Sequence, residues 1–330
     1  MESTDVVIVG AGFAGLSAAG LLARRGVSVE VFESLPAPGG RARWEERDGF
    51  ILDHGIHGHR GGGSGAAARV LNELGEEIDW VREKAGSYIV YNGERHAAPE
   101  SLGELFRFQL LGPGDRARLI FLLVKMLLAS PEKHTRTSLA EFVGRWSERP
   151  GLRPMLQAMG TGAMAADMEK ASAGEVIELL KRTIRSERPL GIPKGGERQV
   201  LDKLIKRVKE PARLNLLTRV KKIHISEGGA ESVETTRGSW KPKAVLFTAP
   251  IQKLFKVVEK NHFRPGFQSY VESLEPTAGI SVDLALSEPV TDMGGGILDL
   301  DCRLMGRFPS VADPSLAPPG KQLATWLWVL

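Results

Sequence analysis

The sequence predicts an α/β fold, because three patterns follow one another at its N-terminal end. Residues Val6–Val9 form a β-branched run that is too short for a helix and is typical of a buried parallel strand. A glycine-rich turn comes next, and the small-residue segment Leu16–Arg25 then predicts a helix that ends at Gly26. The segment Val27–Phe32 predicts a second strand. This alternation of strand, helix and strand indicates a parallel sheet covered by helices.

The glycine-rich turn has the spacing of a dinucleotide-binding motif. Its residues are Gly10, Ala11, Gly12, Phe13, Ala14 and Gly15. Gly10 permits the tight turn, Gly12 leaves room for a pyrophosphate to approach the backbone, and Gly15 lets the helix pack closely on the sheet. The free N–H groups and the dipole of the helix start favour phosphate. Because strand, turn and helix are all present, the motif predicts a Rossmann-like domain that binds a dinucleotide.

An acidic residue stands at the end of the second predicted strand. Glu33 lies roughly twenty residues beyond the glycines, where a carboxylate accepts hydrogen bonds from both ribose hydroxyls, and Ser34 follows it directly. A carboxylate at this position repels a 2′-phosphate, so Glu33 argues against NADP. The motif alone does not distinguish NAD from FAD.

The composition excludes some classes of function. The chain has 330 residues, enough for two domains, with 25% charged and 42% hydrophobic residues. The net charge of +4 is mild and includes no Lys/Arg block, so we predict no nucleic-acid partner, although it suits an anionic membrane surface. Cys302 is the only cysteine, which favours a reducing compartment. The first strand begins close to Met1 with no signal peptide before it, so we expect a cytoplasmic protein.

Two further motifs point to a family. The segment Pro38–Arg41 reads Pro-Gly-Gly-Arg, and Gly49–Gly55 reads Gly-Phe-x-x-Asp-x-Gly. Asp48-Gly49 predicts the turn of a β-hairpin between Arg43–Arg47 and Phe50–Asp53. Together with the first glycine motif, these segments resemble the FAD-dependent amine oxidase superfamily, which includes phytoene desaturases, carotenoid isomerases, protoporphyrinogen oxidases and monoamine oxidases. The resemblance implies that the cofactor is FAD rather than NAD.

The resemblance also implies which residues contact FAD. Gly40 and Arg41 would approach the pyrophosphate, where the fork of the guanidinium matches phosphate oxygens. The chain would pass beside the isoalloxazine ring at Gly55, Ile56, His57 and Gly58. The family also makes a backbone contact to the adenine at a valine that corresponds to Val220.

Three neighbouring histidines offer a different interpretation, a metal site. The spacing of His54, His57 and His59 does not match a helical pair of ligands, and no cysteine or distant histidine motif completes a set. We therefore predict no metal. His57 is instead expected to face the flavin or the substrate, or to be structural. No Ser/His/Asp set or carboxylate pair stands out, so the sequence assigns no catalytic residue.

The resemblance implies a discontinuous arrangement of domains. Residues 1–65 and 195–262 are expected to form the FAD-binding domain, and Pro193–Gly196 resembles the Pro-x-Gly-Gly turn that returns the chain to it. Residues 66–194 and 263–330 are expected to form a largely helical substrate-binding domain.

The segment Leu102–Leu128 has two interpretations. Its last part, Leu119–Leu128, is nearly all apolar except for Lys125, but about ten residues are too few to span a bilayer, which needs about twenty. Apolar residues punctuated by arginines suit a helix that lies in a membrane interface. The alternative is a buried core helix. Because monotopic membrane contact is a trait of the desaturase branch, the resemblance implies peripheral contact on the inner face of a membrane.

The implied activity is hydride transfer from a hydrophobic substrate to the flavin, similar to that of phytoene desaturases and carotenoid isomerases. The segment Asp313–Lys321 resembles a loop of those proteins. One alternative is a flavoenzyme that resembles amine oxidases or protoporphyrinogen oxidases. Another is a flavoprotein with little or no activity, because family members continue beyond the strand predicted at Thr325–Leu330 with a second glycine-rich segment at the flavin.

Overall fold

The computed structural model describes residues 1–55, 58–81, 86–99, 101–146, 149–162, 167–185, 190–226 and 229–330. The chain divides into two compact units. Unit 1 consists of Met1–Glu46, Ile51–Trp80 and Pro193–Pro276, and unit 2 of Arg47–Phe50, Val81–Ile192 and Thr277–Leu330. The assignment of FAD binding to residues 1–65 and 195–262, and of substrate binding to the other segments, stays a prediction.

The secondary structure alternates between helices and strands along the chain. The helices of the described residues are α1 (Phe13–Ala23), α2 (Ala66–Glu73), α3 (Leu102–Arg107), α4 (Pro113–Leu128), α5 (Leu139–Gly144), α6 (Arg153–Gly162), α7 (Ala173–Arg185), α8 (Glu197–Arg207), α9 (Pro265–Ser273) and α10 (Pro309–Ala312). Their strands are β1 (Glu2–Val9), β2 (Val29–Phe32), β3 (Trp44–Arg47), β4 (Phe50–Asp53), β5 (His59–Arg60), β6 (Trp80–Val81), β7 (Tyr88–Tyr91), β8 (Glu94–Ala97), β9 (Leu190–Pro193), β10 (Ala212–Asn215), β11 (Val220–Ser226), β12 (Gly229–Thr235), β13 (Ser239–Phe247), β14 (Gly279–Leu286), β15 (Ile297–Asp299), β16 (Leu304–Arg307) and β17 (Gln322–Val329).

Unit 1 is organised around a six-stranded sheet with the order β10-β2-β1-β13-β12-β11. The strands β10, β2, β1 and β13 pair in parallel, whereas β13, β12 and β11 pair antiparallel. The strand β1 begins at Glu2, before the predicted Val6, because its pairing with β13 already starts there. The core of this unit contains the fully buried Ile8, Leu16, Ala19, Val31 and Leu204. The parallel strands with their connecting helix confirm the predicted α/β, Rossmann-like fold.

Unit 2 combines helices with a second six-stranded sheet, whose order is β14-β17-β16-β15-β7-β8. All neighbours in it are antiparallel except β15 and β7. The helices of the unit enclose a core that contains the fully buried Leu122, Met126, Leu139, Leu152 and Ile177. The sequence predicted the helices of this part of the chain more clearly than its sheet, because the strands are short and far apart in the chain.

The segment Leu102–Leu128 folds as two helices rather than one. The helix α3 ends at Arg107, and Pro113 opens α4, where its missing N–H group is not needed. One face of α4 packs into the core through Leu119, Leu122 and Met126. In the described part of the chain no helix has the length and hydropathy that a membrane crossing requires.

Candidate dinucleotide-binding site

The glycine turn after β1 is too tight for larger residues at two positions. Gly10 has a φ of +105°, which L side chains rarely adopt. A Cβ on Gly15 would lie 2.0 Å from the carbonyl oxygen of Gly10, so α1 can approach β1 only because this residue is glycine. The hydroxyl of Thr248 supports the turn by donating to the carbonyl oxygens of Val9 and Gly10 (3.0 and 2.9 Å).

The start of α1 leaves open space in front of backbone donors that have no partner within the helix. The N-cap residue Gly12 has no side chain with which to cap the helix, and a Cβ on it would meet nothing within 4 Å among the described residues. Phe13 and Ala14 belong to the first turn, whose N–H groups have no partner within a helix. An uncapped helix start with free space before it fits a phosphate group.

A second glycine loop lies directly against the first. The N–H group of Gly39 donates to the carbonyl oxygen of Ala11 (2.7 Å), and a Cβ on Gly40 would lie 3.3 Å from the Cα of Gly12. Arg41 follows with an exposed side chain that forms no ion pair with any residue the structure describes. The loop thus carries a guanidinium without a described ion-pair partner on the residue that follows the contact between Gly40 and Gly12.

The carboxylate of Glu33 is fixed against the glycine turn at the end of β2. It is 9% exposed, and its oxygens accept hydrogen bonds from the N–H groups of Ala11 (3.0 Å) and Leu35 (2.9 Å). The exposed Ser34 donates its hydroxyl to the same carboxylate (3.3 Å). Because each carboxylate oxygen has two lone pairs, Glu33 can accept further bonds from ribose hydroxyls.

The residue predicted to contact the adenine lies near Glu33. The N–H group of Thr218 donates to the carbonyl oxygen of Glu33 (2.7 Å), and Val220 begins β11 two residues later. The side chain of Val220 is buried in the same apolar cluster as Phe32. This arrangement brings Val220 to the side of the site where Glu33 lies.

The loop after β4 also reaches this site. A Cβ on Gly55 would lie 2.5 Å from the carbonyl oxygen of Arg41, so the two segments touch at a point where only glycine fits. Gly58 is half-buried and belongs to neither a helix nor a strand. The predicted positions Ile56 and His57 lie outside the described residues, so their roles beside the isoalloxazine ring stay predictions.

Sequence reasoning missed a polar cluster at the start of α8. Asp53 accepts a hydrogen bond from the N–H group of Glu197 (3.1 Å) and so caps α8. The carboxylate of Glu197 is fully buried and bonds to Nε2 of His59 at 2.9 and 3.0 Å. The His59 ring contacts the rings of Phe13 (5.7 Å) and Trp80 (5.4 Å). The only sequence signal was the acidic residue after two glycines, which marks a helix start but not its partner.

The described histidines do not form a metal site. His54 lies 3.8 Å from the carboxylate of Glu45, and His59 is engaged by Glu197. Nowhere in the described ranges do three His, Cys, Asp or Glu side chains meet in a group that could hold a metal ion.

The comparison with protein families agrees with this geometry. A family model described as flavin containing amine oxidoreductase matches residues 13–329. The chain belongs to this family. The family resemblance and the FAD cofactor that were predicted from the glycine motifs are thereby confirmed.

One solved structure matches nearly the whole chain, and curated relatives match parts of it. A crystal structure of an oxidoreductase from Methanosarcina mazei superposes with a TM-score of 0.83 at 25% identity, covering 99% of this chain and 79% of that one. A zeta-carotene-forming phytoene desaturase from Myxococcus xanthus is 50% identical over 54 residues, which are 16% of this chain and 10% of that protein. Protoporphyrinogen oxidase 2 from Arabidopsis thaliana is 28% identical over 172 residues, which are 51% of this chain and 34% of that protein. The matches thus span about a third or less of these two curated relatives.

Proposed function

We propose that the chain is an FAD-dependent oxidoreductase that oxidises a hydrophobic substrate. The observation that carries this proposal is the meeting of two glycine loops, an uncapped helix start, an exposed Arg41 and the fixed carboxylate of Glu33 at one edge of the first sheet. Bound FAD supplies the two-electron oxidation itself. The similarity to a phytoene desaturase favours a long apolar substrate.

Each group in the site has a distinct role in holding the dinucleotide. The first turn of α1, at Gly12 and Phe13, would bind the pyrophosphate through backbone N–H groups. Arg41 would neutralise phosphate charge, because its guanidinium has no carboxylate partner among the described residues. Glu33 would accept the ribose hydroxyls and exclude a 2′-phosphate.

A hydrophobic substrate is supported by the edge of the second sheet. Ile280, Val282 and Leu284 project from one face of β14 at alternating positions and remain exposed. Trp328, which lies opposite Ile280 in the register of β14 and β17, is exposed as well. These side chains form an apolar surface of the kind that binds an apolar ligand.

Contact of α4 with a membrane surface forms part of the proposal. Phe121, Val124 and Leu128 lie on one face of α4 and are exposed, Leu128 by 78%. We call these three residues the apolar stripe. Arg118 and Lys125 flank it on one side, and apolar residues bordered by cations are typical of helices in the interface of an anionic membrane. Such contact would give access to substrates dissolved in lipid.

A protoporphyrinogen-oxidase-like activity is the second candidate, because that match spans half of the chain.

A visible absorbance spectrum of the purified protein tests the common part of both candidates, the binding of FAD. Flavin bands that persist through gel filtration would support them, and a folded protein that takes up no added FAD would overturn them. Anaerobic bleaching of the flavin by a polyene, compared with bleaching by a protoporphyrinogen, then separates the two. Flotation of the protein with vesicles tests the membrane contact.

A further inference from the structure

We propose that a cavity at the C-terminal end of α4 binds the headgroup of an anionic phospholipid. This inference rests on the proposed membrane contact of α4 and extends it to a specific ligand. The cavity has a volume of about 260 Å³. It is lined by cationic, aromatic and aliphatic side chains, among them Lys125, Leu128, His134, Phe142, Arg145 and Trp146.

The cavity holds a positive charge that no described carboxylate compensates. Nζ of Lys125 lies 4.2 Å from the ring centroid of Trp146 and 5.4 Å from that of Phe121. These ring faces position the ammonium group but do not neutralise it. Arg145, by contrast, already bonds to Glu141 (2.5 Å). Lys125 is therefore the group in the cavity that gains most from an anionic ligand.

The ring of His134 also lines the cavity. His134 packs edge-on against Phe142 with a centroid distance of 4.9 Å. Its Nδ1 atom is buried and has no hydrogen-bond partner within the described ranges. Because this atom has essentially no accessible surface, a ligand in the cavity does not reach it, and His134 contributes an aromatic wall rather than a polar contact.

The helix dipole does not oppose an anion at this end of α4. The free carbonyl groups at a helix C-terminus carry partial negative charge, which would normally repel phosphate. Here the ammonium group of Lys181 donates to the carbonyl oxygen of Ala129, at a distance of 2.5 Å. This bond compensates the negative end of α4 and leaves the charge of Lys125 available.

The cavity continues into the apolar stripe, which favours a lipid over free phosphate. Leu128 belongs to the stripe and also lines the cavity. A ligand with its anionic group beside Lys125 would thus have space for an apolar tail along Val124 and Phe121. A phospholipid combines these two properties in one molecule, and free phosphate has only the first.

Vesicle flotation of two matched variants tests the proposal. Lys125→Gln and Arg118→Gln each remove one positive charge from α4. Each also removes a cation that lies over the Phe121 ring, at 5.4 Å from the ring centroid for Lys125 and 5.3 Å for Arg118. Of these two residues, Lys125 lines the cavity and Arg118 does not. With vesicles of phosphatidylcholine and phosphatidylglycerol, R118Q should bind about fivefold more weakly than wild type, which is the effect of one surface charge. K125Q should bind about 30-fold more weakly, as expected for a lost charge-assisted hydrogen bond.

Other outcomes of the flotation assay have separate meanings. Equal losses in both variants would overturn the headgroup site but leave the membrane contact of α4 intact. Equal binding of the wild-type protein to neutral and anionic vesicles would also overturn the anionic headgroup site and leave the membrane contact of α4 intact. A wild-type protein that binds neither kind of vesicle would overturn the membrane contact itself.

A second measurement on the otherwise unchanged protein guards against misfolded variants. The indole ¹⁵N–H resonance of Trp146, assigned with Trp146→Phe, should shift on titration with short-chain phosphatidylglycerol and not with short-chain phosphatidylcholine. The same shift with inorganic phosphate alone would overturn the lipid as ligand. No shift with phosphatidylglycerol would overturn the site as a whole.

Discussion

The buried carboxylate of Glu197 bonds to Nε2 of His59 through both of its oxygens, at 2.9 and 3.0 Å. Glu197 is 0% exposed and the His59 side chain only 11%. Among the described residues, each is therefore the main hydrogen-bond partner of the other side chain in the interior. The His59 ring also touches Phe13 in the first turn of α1. The pair therefore links the start of α8 to the start of α1, where the dinucleotide is expected to bind.

Removing His59 should destabilise the protein more than neutralising Glu197. His59→Ala leaves a buried carboxylate without its partner, which costs about 3–5 kcal/mol. Glu197→Gln leaves a neutral amide beside the ring and should cost about 1–2 kcal/mol. Urea unfolding measures both. The control is His54→Ala, since His54 is exposed and only 3.8 Å from Glu45, and its effect should stay within about 0.5 kcal/mol. A smaller effect for H59A than for E197Q would contradict this view of the pair.

Alanine at Gly15 and at Gly12 should separate folding from cofactor binding. In Gly15→Ala the new Cβ would lie 2.0 Å from the Gly10 carbonyl oxygen, so we expect a loss of about 3 kcal/mol in the free energy of unfolding. In Gly12→Ala the Cβ meets nothing within 4 Å among the described residues, so stability should change by less than about 0.5 kcal/mol while FAD affinity falls at least about tenfold. Urea unfolding and flavin fluorescence measure the two effects.

A third alanine variant provides the control for this comparison. Gly144 ends α5, and a Cβ there would meet nothing within 4 Å. Gly144→Ala should leave FAD affinity unchanged and should not destabilise the protein, because alanine is favoured over glycine at a helical position. An unchanged FAD affinity in G12A would show that the space before α1 is not where the pyrophosphate binds.

Arg41 should contribute to FAD affinity through both its charge and its shape. Arg41→Ala removes a guanidinium that has no ion pair with the described residues, and we expect FAD to bind about 10- to 100-fold more weakly. Arg41→Lys keeps the charge but loses the planar fork, so its affinity should be intermediate. Fluorescence titration measures both, and Arg47→Ala, which removes an exposed arginine at the end of β3, is the control. An equal loss in R41A and R47A would indicate a nonspecific effect of charge.

The parts of the site that were predictable from the sequence are those encoded by local patterns. Gly10, Gly12 and Gly15 follow from one motif, and Glu33 follows from its distance to them. The bond between Glu197 and His59 was not predictable, because it joins residues 138 positions apart. The same holds for the contact of Thr248 with Gly10, 238 positions away. Sequence periodicity indicates on which face of its helix or strand a residue lies. It does not indicate which distant side chain contacts the residue on that face.

The two faces of α4 illustrate the same limit. The apolar run Leu119–Leu128 was open to interpretation as a core helix or as an interfacial helix. The structure buries Leu122 and Met126 and exposes Val124 and Leu128, so the core interpretation holds for one face, and membrane contact of the other face stays a proposal. Composition does not separate two apolar faces of one helix, because the separation depends on what packs against it.

Glu76 should stabilise the protein at neutral pH and lose this effect in acid. Burial alone would raise its pKa, but hydrogen bonds from Arg207 (2.6 Å) and Lys203 (3.4 Å) outweigh burial, so the pKa of the Glu76 carboxyl lies below its ordinary value of 4.5. A carboxyl whose pKa is lower in the folded state contributes stability above the unfolded pKa and loses it as the pH falls through the folded value. Glu76→Gln should therefore cost about 1–3 kcal/mol near pH 7.

The difference between wild type and E76Q should shrink as the pH falls below 4.5, because Glu76 becomes neutral in both the folded and the unfolded states. Urea unfolding at neutral pH and in acid measures this trend. Glu73→Gln, at the last residue of α2 and three positions before Glu76, is the matched control, since Glu73 and its partner Arg25 are both about half exposed and such pairs contribute about 0.2–1 kcal/mol. Its effect should be small at every pH. If the cost of E76Q were the same in acid as at neutral pH, the charge of Glu76 would not be its cause, and the amide would instead be packing poorly against Arg207.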